Sequence, residues 1–175
     1  MSTILIVIIA ATILFSLKGF NDVAFFRKYE FHIGSIRAGE QIRMVTSGFL
    51  HADMGHLFFN MFSLLVLGNP IEEALGKARF LVIFFTSLLT GSLASIYLNS
   101  YPHVSVGTSG AVFGLFGAFI ALRNRINEGV RDIYVIVGLN FVFGFILGGV
   151  DWRAHLGGLI GGYLATAVLL RITRV

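Results

Sequence analysis

No cysteine occurs in this chain, and only two of its 175 residues are proline, Pro70 and Pro102. The first absence removes disulfides, thiolate nucleophiles and cysteine-based metal sites together, and leaves the redox compartment unreadable. Charge is scarce as well. Lys, Arg, Asp and Glu make up 13% of the residues, about half the share of a soluble domain. No HExxH or carboxylate–histidine cluster falls within an apolar stretch, so a metal site is not expected. The net charge of +4 comes from basic residues that flank apolar runs without forming a patch, which argues against nucleic acid. No repeat period suggests a solenoid or an inverted-repeat transporter. What the chain does have is hydrocarbon: 56% of it is hydrophobic and the mean hydropathy is +0.85. The expected class is a polytopic, all-α integral membrane protein, one domain over residues 1–175.

Six apolar segments can be drawn, at roughly 2–17, 54–68, 79–98, 108–122, 133–149 and 154–170. The first lacks a basic leader and a small-x-small cleavage site, which reads as a retained helix. Gly68-Asn69-Pro70 is expected to end the second. Six crossings put both termini on one side. Outside the long 18–53 connection, Lys77, Arg79, Arg123, Arg125, Arg131, Arg171 and Arg174 lie on that side and Arg153 alone lies opposite. The positive-inside rule then places both termini in the cytoplasm. The long connection interleaves Phe20, Val23, Phe25, Phe26, Tyr29, Phe31 and Ile33 with Asp22, Arg27, Lys28 and Glu30. It reads as an amphipathic loop lying in the outer-leaflet interface, with an ordinary folded loop as the alternative.

Three polar motifs interrupt the hydrocarbon: His56-x-x-x-Asn60, Gly107-Thr108-Ser109-Gly110, and Ala154-His155-Leu156-Gly157-Gly158. Strongly polar side chains inside a span are costly unless they pair or perform chemistry. Ser109 opens the fourth segment, where free N–H groups and the helix dipole favour a developing negative charge. Gly110, Gly114 and Gly117 follow at a spacing that permits close helix approach, and Gly158-x-x-x-Gly162 does the same on the sixth segment. His155 suits a general base. His56 and Asn60, at i and i+4, point from one helix face, with Asp53 as the expected N-cap. Each motif alone also fits plain helix packing or interhelical hydrogen bonding.

Depth separates these readings. From Ser109 to Arg123 is 14 residues and from His155 to Arg171 is 16, about 21 and 24 Å of helix. From His56 to Glu72 is also 16. In a hydrocarbon core of roughly 30 Å, all three groups fall some 5–10 Å below the same boundary. All three also sit on segments running from outside to inside, and unrelated packing histidines need share neither depth nor direction. Asp151 is placed to cap the sixth helix, with membership of a triad as its other reading. His32, His51 and His103 fall in loops or at boundaries and read as structural or solvated. Trp152 and Tyr101 look like interfacial anchors.

With these residues in this order, the chain resembles the rhomboid family of intramembrane serine proteases, from about Arg43 to the end of the sixth segment. Arg43 and Glu72 also stand where the family often has an Arg and a Glu, whereas Phe113 replaces a frequent tyrosine and Ile42 a frequent tryptophan. The resemblance implies a six-transmembrane-helix bundle and a Ser109–His155 dyad. It implies an oxyanion site made by His56, Asn60 and the Ser109 N–H, and no cofactor. Substrates would be single-span transmembrane proteins cut near the outer leaflet, and the setting would be the lipid bilayer of the bacterial inner membrane. Two other readings are a catalytically silent binding protein of the same fold and a small transporter or proton relay. The relay wants polar groups through the whole depth of the membrane, and the inner halves of these segments are apolar.

Overall fold

An apolar chain in lipid has no water to satisfy its backbone, so each long hydrophobic run closes its hydrogen bonds on itself as a helix. In the computed structural model of the protein, which describes residues 3–123 and 150–172, this gives α1 (Thr3–Asn21), α5 (Met54–Leu75), α6 (Lys77–Leu98), α7 (Ser109–Leu122) and α8 (Trp152–Ile172). Helices α1, α5, α6 and α8 are each long and apolar enough to cross a membrane. The expected fifth segment, 133–149, lies outside the described residues, as do Arg125, Arg131 and Arg174.

The second helix does not end where its sequence suggests. α5 continues through Pro70 to Leu75 and stops at Gly76, whose φ of +83° breaks the helical path. Proline fits a helix in its φ and forfeits one N–H bond, a loss that transmembrane helices tolerate when their neighbours hold them in place. Here Leu64, Leu67, Ile71 and Leu75 are buried on either side of Pro70 in the main core.

The connection between α1 and α5 is a folded unit. It contains α2 (Val23–Tyr29), β1 (Phe31–His32), α3 (Ile33–Arg37), α4 (Arg43–Thr46) and one 3-10 turn at Ser47–Phe49. Phe31, Ile33 and Ile36 turn inward as a small cluster of their own, while Val23 and Ile42 stay exposed. Arg43 is buried at its centre and donates to the carbonyls of Arg27 and Glu30 at 2.6 and 3.0 Å and to the Glu40 carboxylate. The all-α expectation needs one addition. β1 pairs antiparallel with β2 (Val104–Ser105), Phe31 opposite Ser105, which ties this unit to the segment just before α7.

α7 is the centre of the bundle, packed against α5, α6 and α8, with eleven of its fourteen residues buried. Its approach to α8 is set by glycine. A Cβ on Gly158 would lie 2.0 Å from the Gly110 carbonyl oxygen, and one on Gly162 would lie 2.0 Å from the Gly114 oxygen. α6 meets α8 in the same way, with Gly157 against the Thr90 carbonyl and Gly161 against the Thr90 hydroxyl. The expected outcome for Gly162→Ala is that the two helix backbones must part. Overpacking of this kind costs roughly 1–3 kcal/mol, to be read as a lower midpoint of thermal unfolding in detergent.

Candidate active site

The N-termini of α5, α7 and α8 come together at one end of the bundle, and each brings one of the polar motifs. α5 starts at Met54 because Asp53 caps it, accepting the His56 N–H at 2.8 Å. That puts His56 in the first turn, and Asn60 lies one turn further in, 7% exposed, with one amide proton given to the His56 carbonyl at 2.9 Å. Ser109 is the first residue of α7 and is half-buried. α8 starts after Asp151, whose carboxylate accepts the Ala154 N–H at 3.2 Å and whose carbonyl accepts the His155 N–H at 3.2 Å.

Two contacts fix the mutual placement of the motifs. The His155 imidazole stacks on the Phe113 ring, centroids 4.1 Å apart and planes 12° from parallel. Phe113 lies at i+4 from Ser109, so the residue that carries the imidazole is one turn along the same face of α7 as the serine. Phenylalanine thus gives His155 a stacking surface without a hydroxyl. The second contact is at Gly107, whose φ of +125° lets the chain turn sharply into α7. A Cβ at Gly107 would lie 2.8 Å from His56 Nε2 and 3.7 Å from Ser109 Oγ. The imidazole of His56 and the hydroxyl of Ser109 therefore border the same small space, which the missing side chain leaves open.

His51, read from sequence as structural or solvated, is structural in a specific way. It is fully buried, and its ring packs edge-on against His56 with centroids 4.8 Å apart. Nε2 accepts the Thr108 backbone N–H at 3.4 Å, and Nδ1 lies 3.0 Å from Ser16 Oγ. The Ser16 hydroxyl itself reaches the Phe49 carbonyl at 3.0 Å. With Nε2 accepting, the ring carries its proton on Nδ1 and donates it to Ser16. The Thr108 hydroxyl donates to the Gly48 carbonyl at 2.7 Å and the Gly107 N–H to the Ser47 carbonyl at 3.0 Å. The turn that presents Ser109 is thus pinned to residues 47–51 and, through Ser16, to α1. The one sequence sign of this was a histidine placed just ahead of a capped helix.

The remaining histidines and anchors also have partners. His32 caps α3 by accepting the Ser35 N–H, and His103 meets Asp151 at 2.9 Å. The Arg153 guanidinium lies over the Trp152 ring, 4.6 Å from its centroid. Among the described residues no cluster of His, Cys, Asp or Glu could hold a metal ion.

Burial, reinforced by the neighbouring His56, pushes the His51 imidazole down to about 3. Between that value and its ordinary 6.5 the unfolded chain binds a proton here that the folded chain does not. This contribution to stability is therefore complete above the ordinary value and is lost progressively as the pH falls through that window. His51→Phe preserves a ring but leaves the Thr108 N–H without its acceptor, an expected loss of about 1–3 kcal/mol at neutral pH. The variant should also lose stability less steeply on acidification. An unchanged acid slope in thermal unfolding would assign the sensitivity to another group.

Comparison with known proteins gives a consistent set of relatives. A Rhomboid domain model matches residues 38–172. Rhomboid protease GluP of Bacillus subtilis is 41% identical over 139 residues, 77% of this chain and 27% of GluP. Putative rhomboid protease YdcA of the same organism is 36% identical over 131 residues, 72% of this chain and 66% of YdcA. Inactive RHOMBOID-like protein 8 of Arabidopsis thaliana is 38% identical over 136 residues, 73% of this chain and 38% of that protein. The chain thus spans about a quarter of the first of these relatives and about two thirds of the second.

Proposed function

This chain belongs to the Rhomboid family, and from that premise we propose that it is an intramembrane serine endopeptidase whose working pair is Ser109 and His155. The family and the apolar helices make it an integral membrane protein. The observation that carries the proposal is the stacking of His155 on Phe113, one turn from Ser109, while Gly107 opens a space between the Ser109 hydroxyl and His56. In the proposed reaction Ser109 Oγ attacks a peptide carbonyl carbon as its proton passes to His155. His155 then returns that proton to the leaving amine, so an acyl-enzyme forms and the C–N bond breaks. A water molecule, deprotonated by the same imidazole, releases the acyl group and regenerates the serine. The carbonyl oxygen becomes negative at each attack and would be held by His56, the second amide proton of Asn60 and the Ser109 N–H at the positive end of α7. No cofactor enters these steps.

The substrates we propose are single-span membrane proteins, cut near the outer leaflet where small or helix-breaking residues let the strand unwind. The whole of residues 1–175 would form one domain, since Leu5 and Ile8 of α1 share the core that α5 and α7 build. The bacterial inner membrane with both termini cytoplasmic is the setting that the basic residues support, Lys77, Arg79, Arg123 and Arg171 lying at the helix ends away from the motifs. One relative is named inactive, which keeps a silent binding protein as the second reading.

A model single-span substrate and a fluorophosphonate probe separate the two. Ser109→Ala should abolish both cleavage and labelling with the fold intact, and His155→Ala should be almost as damaging because the pair acts as a unit. Asn60→Ala removes one oxyanion donor and should retain turnover at about 10²–10³ below wild type. Undiminished cleavage by the serine variant would end the proposal.

Hydrolysis requires water at the depth of Ser109, so the site is proposed to be wet and open to the extracytoplasmic side. The absence of native cysteine gives a clean check. In oriented vesicles Ser109→Cys should react with an impermeant thiol reagent added outside. Leu115→Cys and Phe119→Cys, deeper on the same buried helix, should stay protected. Reaction from the cytoplasmic face alone would reverse the topology.

A further inference from the structure

A carboxylate with four hydrogen-bond donors lies next to the site without being one of its proposed reacting groups. Asp151, with its side chain 6% exposed, accepts the Ser95 hydroxyl, the Asn99 amide at 3.1 Å, the His103 ring at 2.9 Å and the Ala154 N–H at 3.2 Å. Asn99 also donates to Ser95 at 2.9 Å and accepts from Arg153 at 3.0 Å. The cluster joins the last turn of α6, the 99–103 connection and the first turn of α8. It extends to α3 as well, because the His103 carbonyl accepts the Ile33 N–H at 3.2 Å. Helix capping alone requires a single acceptor. This carboxylate has four donors from three segments, and two consecutive residues of α8, Ala154 and His155, hang their N–H groups on it and on its own carbonyl.

We propose that Asp151 is a positioning residue for His155, which sets the rotation of the first turn of α8 and lends a fixed negative charge to the imidazolium formed during proton transfer. The inference rests on the reading of Ser109 and His155 as the working pair. Burial alone would raise the Asp151 carboxyl, yet the hydrogen bonds from Ser95, Asn99, His103 and Ala154 outweigh it and hold the group below the usual carboxylate range. Asp151 is therefore an anion at neutral pH. Among the described residues, the titratable groups whose fields reach His155 include Asp151, four residues before it, and His56 from α5. α6 contributes Ser95 and Asn99 to the cluster, which are uncharged, and Arg153 is turned onto Trp152 and Asn99. His56, if protonated, would oppose an imidazolium on His155. Asp151 is thus the favourable charge in this set. Held just ahead of the helical turn that carries His155 and largely shielded from water, one unit charge is enough to change a rate about tenfold.

The decisive variant is Asp151→Asn, since asparagine caps a helix about as well as aspartate and keeps an oxygen for the Ala154 N–H. In the intact protein in detergent, its thermal unfolding midpoint should fall less than that of Asp151→Ala, because the amide keeps the acceptor for Ala154 and Asn99 but loses the oxygen that faces Ser95 and His103, while its KM for a single-span substrate should stay close to wild type. Its kcat should fall about tenfold or more, and the acid limb of the pH–rate profile should move to lower pH, because a lost anion favours the neutral base. Asp151→Ala should show the same kinetic change together with lower stability. If Asp151→Asn matches wild type in kcat and pH profile and only the alanine variant suffers, Asp151 is a cap and the proposal is overturned. A readout without turnover keeps the test independent of the protease reading. Deuterium exchange at the His155 C2 position, followed against pH in the Ser109→Ala background, should have its midpoint displaced by Asp151→Asn, and an unmoved midpoint refutes the charge coupling. Full cleavage by Ser109→Ala would instead remove the serine reading and leave the exchange result standing.

Discussion

The backbone contact between α7 and α8 governs the placement of nearly everything else in the molecule. Gly110 against Gly158 and Gly114 against Gly162 bring two helices together with no side chain between them. In lipid, helix association gains little from excluding water and depends on close packing of this kind. The two glycine pairs fix both distance and register, as teeth would. Ser109 precedes the first of the α7 glycines, and His155 lies one turn before Gly158, so the register that fits the glycines also faces the serine helix start toward the histidine. Phe113, between the two α7 glycines, then fills the remaining space with the ring on which His155 stacks.

Packing positions the helices, and hydrogen bonds position the loops. The end of the bundle that gathers the motifs holds two buried polar networks, one centred on His51 and one on Asp151. A buried polar group left unpaired costs about twice what a made bond contributes, so such networks favour one arrangement over near alternatives. Each holds a turn that precedes a helix start. The His51 network fixes the entry to α7, and the Asp151 network fixes the entry to α8. Rigidity is thereby concentrated at the helix N-termini, where unpaired N–H groups are available to a negative charge.

The sequence disclosed the features that follow from local rules. Asp53 and Asp151 as caps, the glycine spacing on the fourth and sixth segments and the placing of His56, Ser109 and His155 at or near helix starts each needed only local signals. Three things were not legible. The bond from Thr108 to His51 joins residues 57 apart, and no periodicity reports such a pairing. The passage of α5 through Pro70 escaped because helix-stop rules reflect the cost of a lost bond, whereas the core around Leu67 and Ile71 decides whether the cost is met. The alternation of aromatic and charged residues in the 18–53 connection suits an amphipathic surface or a folded loop alike, and it does not report what orders the segment: Arg43, which gathers two distant carbonyls, and a strand pair of two residues a side.

The family's recognisable stretch begins at residue 38, but the physical unit begins earlier. Leu5 and Ile8 are core residues, and Ser16 closes the hydrogen-bond chain that ends on the turn before Ser109. α1 carries no motif, and a comparison of motifs would treat it as an anchor free to vary. Its inner face is nonetheless under a constraint of position, because one hydroxyl must meet one imidazole a fixed number of turns along the helix. Selection on α1 should therefore be written in spacing and in small polar residues rather than in a signature, and helices exchanged between relatives should be interchangeable only when that single turn is kept in register.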